Sequence, residues 1–266
     1  MTSPAVYPYR AVRRIAAFAI AVGPLCWWAF AQHKQNADTH TKPVLVELFT
    51  SEGCSDCPPA DAELAQLDKQ VVPGAQVIVL SEHVTYWNHL GWRDPFSFDE
   101  IDRRQENYVS EFRLDFPATP EFVVDGAMQV AGNNPPVLAN YITRAAAASK
   151  IPVNIDNVHR EADGSVAFTV HAPTAVDASL VAVIAENATH STVSRGENAG
   201  RTLHHIAVVR VIKDFGSGTF DGRAFQLSGP GLLSAEKDGQ SLRLIVFLVG
   251  RKNLEVVGAA EQILNP

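Results

Sequence analysis

Cysteine is scarce in this sequence, with three residues in 266. So few bridges cannot staple a chain of this length, which excludes a disulfide framework of the small secreted kind. Positive charge is not in excess either. Lys and Arg number 22 against 29 Asp and Glu, a formal net charge of −7. Without a basic face to track phosphates, nothing supports a nucleic-acid partner. Methionine numbers only two, so no Met cluster is available for soft-metal handling. There is no internal repeat and no low-complexity tract. What remains is an ordinary globular composition, 46% hydrophobic and 19% charged, with ample length for a core.

The N-terminus reads as a targeting segment. Arg10, Arg13 and Arg14 form a positive region with no acidic residue, Ile15 to Ala31 follows as an apolar run broken by Gly23 and Pro24, and the run ends Ala29-Phe30-Ala31. That is the small-x-small pattern of a cleaved signal peptide, so residues 1–31 are expected to be removed after Ala31 and the product to be periplasmic or secreted. The alternative is a retained anchor, for which the run is short and Pro24 unfavourable. After cleavage no membrane partner is expected. Cys26 leaves with the leader, and the mature chain keeps only Cys54 and Cys57.

Residues 32–42 form a polar lead-in. Pro43 to Leu48 is a β-type run, followed by a turn holding Gly53-Cys54-Ser55-Asp56-Cys57-Pro58. Pro58 and Pro59 suit only a first helical turn, and Ala60, Leu64 and Leu67 recur at helical spacing behind them. A second β-type run, Gln76 to Leu80, leads into a polar-aromatic stretch with His83, Tyr86, Trp87 and Trp92. A charged helix spans 99–112. A short strand ending at Asp125 turns at Gly126 into a partner strand at 128–131, and a helix runs from about Pro135 to Ser149. Beyond Lys150 only short β-type runs occur, separated by Gly-rich turns. The expected architecture is an α/β domain at 43–150 followed by an all-β sandwich domain at 151–266.

A Cys-x-x-Cys at a helix start has a chemical rationale. The positive helix end lowers the pKa of the first thiol, and the thiolate is the species that attacks disulfides. Cys54 is then the nucleophile and Cys57 the resolving thiol. Asp56 opposes thiolate formation if it lies close to Cys54, which points to a more reducing couple. Other uses of the pair stay open: half a zinc site, a copper-carrying dithiolate, or a structural bridge. Zinc needs two more ligands, and His204-His205 would face opposite sides of a strand.

Thr119-Pro120-Glu121-Phe122-Val123-Val124-Asp125-Gly126 resembles the segment that thioredoxin-like proteins place beside the dithiol, with Pro120 in cis and Thr119 offering its backbone to an extended substrate. The other reading is a trans-proline opening an edge strand. Residues 46–61 (Val-Glu-Leu-Phe-Thr-Ser-Glu-Gly-Cys-Ser-Asp-Cys-Pro-Pro-Ala-Asp), 83–96 (His-Val-Thr-Tyr-Trp-Asn-His-Leu-Gly-Trp-Arg-Asp-Pro-Phe), Arg104-Gln105 and Tyr108 extend the likeness. Over nearly all of the mature chain the sequence resembles a family of secreted bacterial thioredoxin-like proteins classed as a domain of unknown function. The resemblance implies an α/β thioredoxin-like domain at 43–150 with the β-sandwich as its tail domain, and no substrate.

The functional expectation is therefore a thiol–disulfide oxidoreductase acting on exported protein or small-thiol substrates with a separate redox partner. Cys54, Cys57 and Pro120 form its catalytic group, Thr119, Trp87 and His83 its substrate-binding group. No cofactor and no metal is implied. The alternative is a non-enzymatic scaffold for protein docking or copper handling. The aromatic stretch also reads as a mini-core, and Asp94, Arg103 and Arg104 as local ion pairs.

Overall fold

The computed structural model describes residues 41–173, 177–229, 232 and 241–264. The expected leader, its cleavage site and nearly all of the lead-in lie outside them. The chain opens with β1 (Lys42–Thr50), α1 (Pro58–Leu67), β2 (Ala75–His83), α2 (Asp99–Phe112), β3 (Glu121–Val124), β4 (Met128–Ala131) and α3 (Pro135–Ala147). Each helix follows from local sequence. Two prolines occupy the first positions of α1 and again of α3, where Asn134 also caps Val137 N. Asp99, Glu100 and Asp102 sit in the first turn of α2, and its Ile101, Gln105 and Tyr108 are buried at helical spacing.

The strands that follow are β5 (Asn154–Arg160), β6 (Val166–His171), β7 (Ala178–Thr192), β8 (Thr202–Ser217), β9 (Arg223–Leu227), β10 (Leu242–Gly250) and β11 (Val256–Leu264). A thioredoxin-like domain followed by a β-sandwich does not form. Strands from both sides of residue 150 join one mixed eight-stranded sheet, ordered β11-β10-β7-β8-β2-β1-β3-β4, and β5, β6 and β9 form a separate three-stranded sheet. The junction is parallel pairing of β2 with β8 through Ser81 and Val208. The physical reason lies in the apolar pattern. Leu180 to Ala185 and Leu244 to Leu248 are buried at every position, whereas a sandwich strand wet on one face alternates. Both faces of these strands must be covered, and one shared sheet provides that.

On one face the sheet packs against α1 and α3 through Val44, Val46, Leu48, Leu64 and Leu138. Farther along the same face, β7 and β10 pack against the three-stranded sheet through Phe168, Phe225, Ile184 and Val246. The other face gathers Leu45, Phe49, Leu80, Val183, Phe247, and Ile101 and Tyr108 of α2. An eight-stranded twisted sheet tends to curl, and here β11 returns to the β3–β4 turn. Val256 N donates to Asp125 O at 2.7 Å, and Lys150 Nζ bridges Asp125 Oδ2 and Val256 O, each at 2.7 Å. Gly126 permits this approach. Its φ is +62°, and a Cβ there would stand 1.9 Å from Leu254 O. Among the described residues no helix is long and apolar enough to cross a membrane.

Candidate functional site

β1 delivers Thr50-Ser51-Glu52 into the dithiol turn. Gly53 N donates to Ser51 Oγ (3.1 Å) and Cys54 N to Ser51 O (3.2 Å). Cys54 and Cys57 form a disulfide with a Cα–Cα distance of 5.4 Å. Cys57 caps α1, with Pro58 and Pro59 as the first helical residues. Those prolines carry no N–H, so the helix end acts on the sulfurs through its dipole with few free donors. Thr119–Pro120 is cis, and Thr119 O lies 3.8 Å from Cys54 Sγ. Trp87 Nε1 donates to Thr119 Oγ1 at 2.7 Å. Cys54, Cys57, Thr119 and Trp87 thus converge, with Pro120 buried beside them. His83 is linked to the dithiol turn through Asp94, whose Oδ2 accepts from both His83 Nδ1 (2.7 Å) and Glu52 N (2.8 Å).

Beneath the turn lies a buried polar cluster. Glu52 Oε2 accepts from Trp92 Nε1 (2.8 Å), and its Oε1 accepts from Ser191 Oγ and lies 3.2 Å from His205 Nε2. Asp61, one turn after Cys57, accepts from Thr50 Oγ1 (3.0 Å) and stands 3.8 Å from His205 Nδ1. Burial disfavours the charge on His205, but the Asp61 and Glu52 carboxylates outweigh it and lift its pKa to about 10. Burial likewise opposes ionisation of Asp94, yet His83 and the N–H groups of Glu52 and Phe96 hold its carboxyl below the usual range. The His83 and His205 rings meet edge-on at 4.7 Å, and His83 Nε2 and His205 Nδ1 find no hydrogen-bond partner among the described residues. His204 is exposed on the opposite face of β8. Among the described residues no three His, Cys, Asp or Glu side chains group as metal ligands.

Residues 193–201, between β7 and β8, close the site. Asn198 Nδ2 donates to Glu52 O (2.9 Å) and Cys54 O (2.8 Å), and Arg201 Nη1 holds Asn198 Oδ1 (2.7 Å). Glu197 Oε2 accepts from Ser55 N at 2.9 Å. In this arrangement Cys54 is 1% exposed and Cys57 0%, while Ser55 and Asp56 are exposed. The sequence reading missed Glu52, His205, Asn198 and Glu197 as site residues. Glu52 stands inside the Thr-Ser-Glu-Gly-Cys stretch and could have been flagged as a carboxylate two residues from the thiol. Asn198 and Glu197 carry no local signal.

The family described as "Protein of unknown function (DUF1223)" matches residues 45–248, from β1 through most of β10 and including both cysteines and the closing loop. The chain belongs to this family. Among curated proteins none matches it. Two solved structures share its fold. One is a protein of Agrobacterium tumefaciens, 23% identical, covering 85% of this chain and 95% of its own, with a TM-score of 0.60. The other is HBP35 of Porphyromonas gingivalis, 18% identical, covering 84% and 76%, with a TM-score of 0.61.

This DUF1223 chain holds a second buried cluster inside the curled sheet. Arg104 Nε donates to Glu47 Oε1 (2.6 Å) and lies 3.5 Å from Glu82 Oε1. Tyr108 OH donates to Glu47 Oε2 (2.7 Å). Burial, reinforced by the charge of Glu47, pushes the Glu82 carboxyl well above the usual range. Neither Glu82 oxygen has a hydrogen-bond partner among the described residues. Arg104 therefore makes long-range pairs rather than the local one expected. Arg103 does pair locally with Glu100 (2.8 Å), and Asp94 pairs with His83. Gln105 Nε2 links Ala118 O and Glu121 Oε2, each at 2.7 Å, and its Oε1 accepts from Tyr86 OH (3.1 Å). Tyr86 and Trp87 pack on the core at this face, so the aromatic stretch serves as packing and as one wall of the dithiol turn.

Proposed function

We propose that this protein carries out thiol–disulfide exchange through Cys54 and Cys57. One observation carries the reading: a disulfide between cysteines three apart, at the cap of a helix, with the Thr119 carbonyl 3.8 Å from Cys54 Sγ. A bridge that closes so short a loop constrains little of the unfolded chain, so its chemistry is a better reason for it than its stapling. In the oxidising direction, a substrate thiolate attacks Cys54 Sγ. The Cys54–Cys57 bond breaks, Cys57 leaves as thiolate, and a mixed disulfide forms. A second substrate thiolate then attacks its own sulfur in that bond, releasing Cys54 as thiolate and leaving the substrate oxidised. The two electrons held by the dithiol pass to a redox partner, and the reducing direction is the reverse. The leader pattern supports an exported site of action, periplasmic or secreted, with protein or small-molecule thiols as substrates.

Burial of both sulfurs favours a second reading, a permanent structural bridge. Insulin reduction by the reduced protein and the reduction potential in glutathione buffers separate the two. Exchange predicts turnover lost in Cys54→Ser and a trapped mixed disulfide in Cys57→Ser. Wild-type turnover no faster than Cys54→Ser, with a potential below about −300 mV, would overturn it in favour of the bridge.

A further inference from the structure

The described loop between β7 and β8 does more than connect them. Its base is fixed, since Val193 N donates to Arg201 O (2.9 Å) and Gly200 N to Val193 O (2.8 Å) at the ends of two long paired strands. Its tip is held differently. Ser194, Arg195, Gly196, Glu197, Ala199 and Gly200 are exposed, and the bonds from the tip to the dithiol turn are the two from the Asn198 amide and the one to Glu197. Water can replace each of those bonds if the tip lifts, while the sheet below stays intact. Segments held by few polar contacts on a rigid frame are the low-stability end of a structure.

The groups the tip occupies are the main-chain carbonyls of Glu52 and Cys54 and the N–H of Ser55. They are main-chain donors and acceptors on the Cys54 side of the turn, and an extended polypeptide that reaches Cys54 past the Thr119 carbonyl can bond to them as well. Loop and substrate compete for one row of donors and acceptors. We infer that residues 193–201 are a gate over the Cys54–Cys57 disulfide, latched by Asn198 and Glu197, and that the sulfurs react only after the tip has left Glu52, Cys54 and Ser55. The inference builds on the exchange reading for its purpose, but the gate itself is a property of the oxidised protein alone.

A water-soluble trialkylphosphine tests it without any partner. The phosphine attacks one sulfur, the Cys54–Cys57 bond breaks, and water converts the phosphonium adduct to phosphine oxide, leaving two thiols that are counted by alkylation and mass. In the oxidised full-length protein a gate gives a reduction rate that levels off as phosphine rises, because opening becomes limiting. Asn198→Ala removes both amide bonds and raises the rate about tenfold. Asn198→Asp keeps the size, lacks the donor and does the same, so it decides the matter if Asn198→Ala is poorly folded. Glu197→Gln raises the rate about two- to threefold. Arg103→Ala, on the exposed face of α2, leaves it unchanged. A wild-type rate that stays linear in phosphine, with Asn198→Asp no faster, would overturn the gate. Failure of the gate leaves insulin turnover untouched, and failure of turnover with the phosphine results intact leaves a gated but inert bridge, so the two ideas fail separately.

Discussion

Behind the disulfide, Glu52 and Asp61 share one cation, His205; inside the curled sheet, Glu47 and Glu82 share one, Arg104. The two clusters lie five residues apart along the same stretch, Glu47 within β1 and Glu52 just past its end, yet they are arranged differently. Both Glu52 oxygens are hydrogen-bonded and both Glu82 oxygens are not. Arg104 keeps its charge at any pH a protein survives, and burial together with the charge of Glu47 pushes the Glu82 carboxyl well above the usual carboxylate range. His205 is a cation that can be switched off, and it comes from β8, on the far side of residue 150. The difference teaches that the Arg104 cluster is a fixed element of sheet packing. The His205 cluster ties the dithiol turn to the distant strands in a way that responds to pH.

The largest expected effect is at Arg104. Arg104→Met leaves Glu47 buried without its cation and is expected to cost about 3–5 kcal/mol in urea unfolding. Adding Glu47→Gln should recover much of that loss. A cost smaller than that at His205 would invert the comparison. His205→Gln keeps a donor toward Glu52 but no charge, and is expected to cost about 2 kcal/mol.

The pH dependence sharpens the contrast. His205 has an ordinary value of 6.5 and about 10 in the folded protein, so folding raises it. Its contribution is full below about pH 6.5, where the unfolded chain is protonated too, and it falls away as pH rises to about 10. Wild-type stability should therefore fall with pH across that window with the slope of one bound proton, and His205→Gln should lose that slope. Chemical denaturation at pH 6 to 10.5 reads it directly. An identical slope in both proteins would show that another group titrates.

What the sequence made legible was whatever is local. Cys54-x-x-Cys57, the two prolines behind it and Thr119-Pro120 lie within short stretches, and the strands at 121–124 and 128–131 fall where the apolar pattern and Gly126 place them. What was illegible depends on distant pairing. The merger of both halves into one sheet rests on Ser81 meeting Val208, and no local pattern encodes that choice. One clue was present: the unbroken apolar runs of β7 and β10 demand cover on both faces. Glu47, alone among the apolar residues of Val44 to Leu48, was another, since a carboxylate there must find a buried cation. Its partner, Arg104, sits 57 residues on in a charged helix where it read as one half of a local ion pair. Asn198 bonds Cys54 across 144 residues, and its local sequence is that of any polar turn.

Smaller effects bound the comparison from below. A Cβ on Gly53 would stand 3.0 Å from Trp87 Cβ, an atom that cannot yield without moving the Trp87 backbone, so Gly53→Ala is expected to cost about 1 kcal/mol. It should also loosen the Trp87–Thr119 bond, visible as a shift in tryptophan fluorescence. The smallest effect belongs to Arg103, whose pair with Glu100 has side chains 60% and 55% exposed. Water and salt screen such a pair, and holding two long side chains in one geometry costs entropy, so Arg103→Ala should change stability by no more than about 0.5 kcal/mol. Raising the salt concentration should shrink even that. If Arg103→Ala cost as much as His205→Gln, exposed charge would matter here as much as buried charge, and burial could no longer be what separates the two clusters from the surface around them.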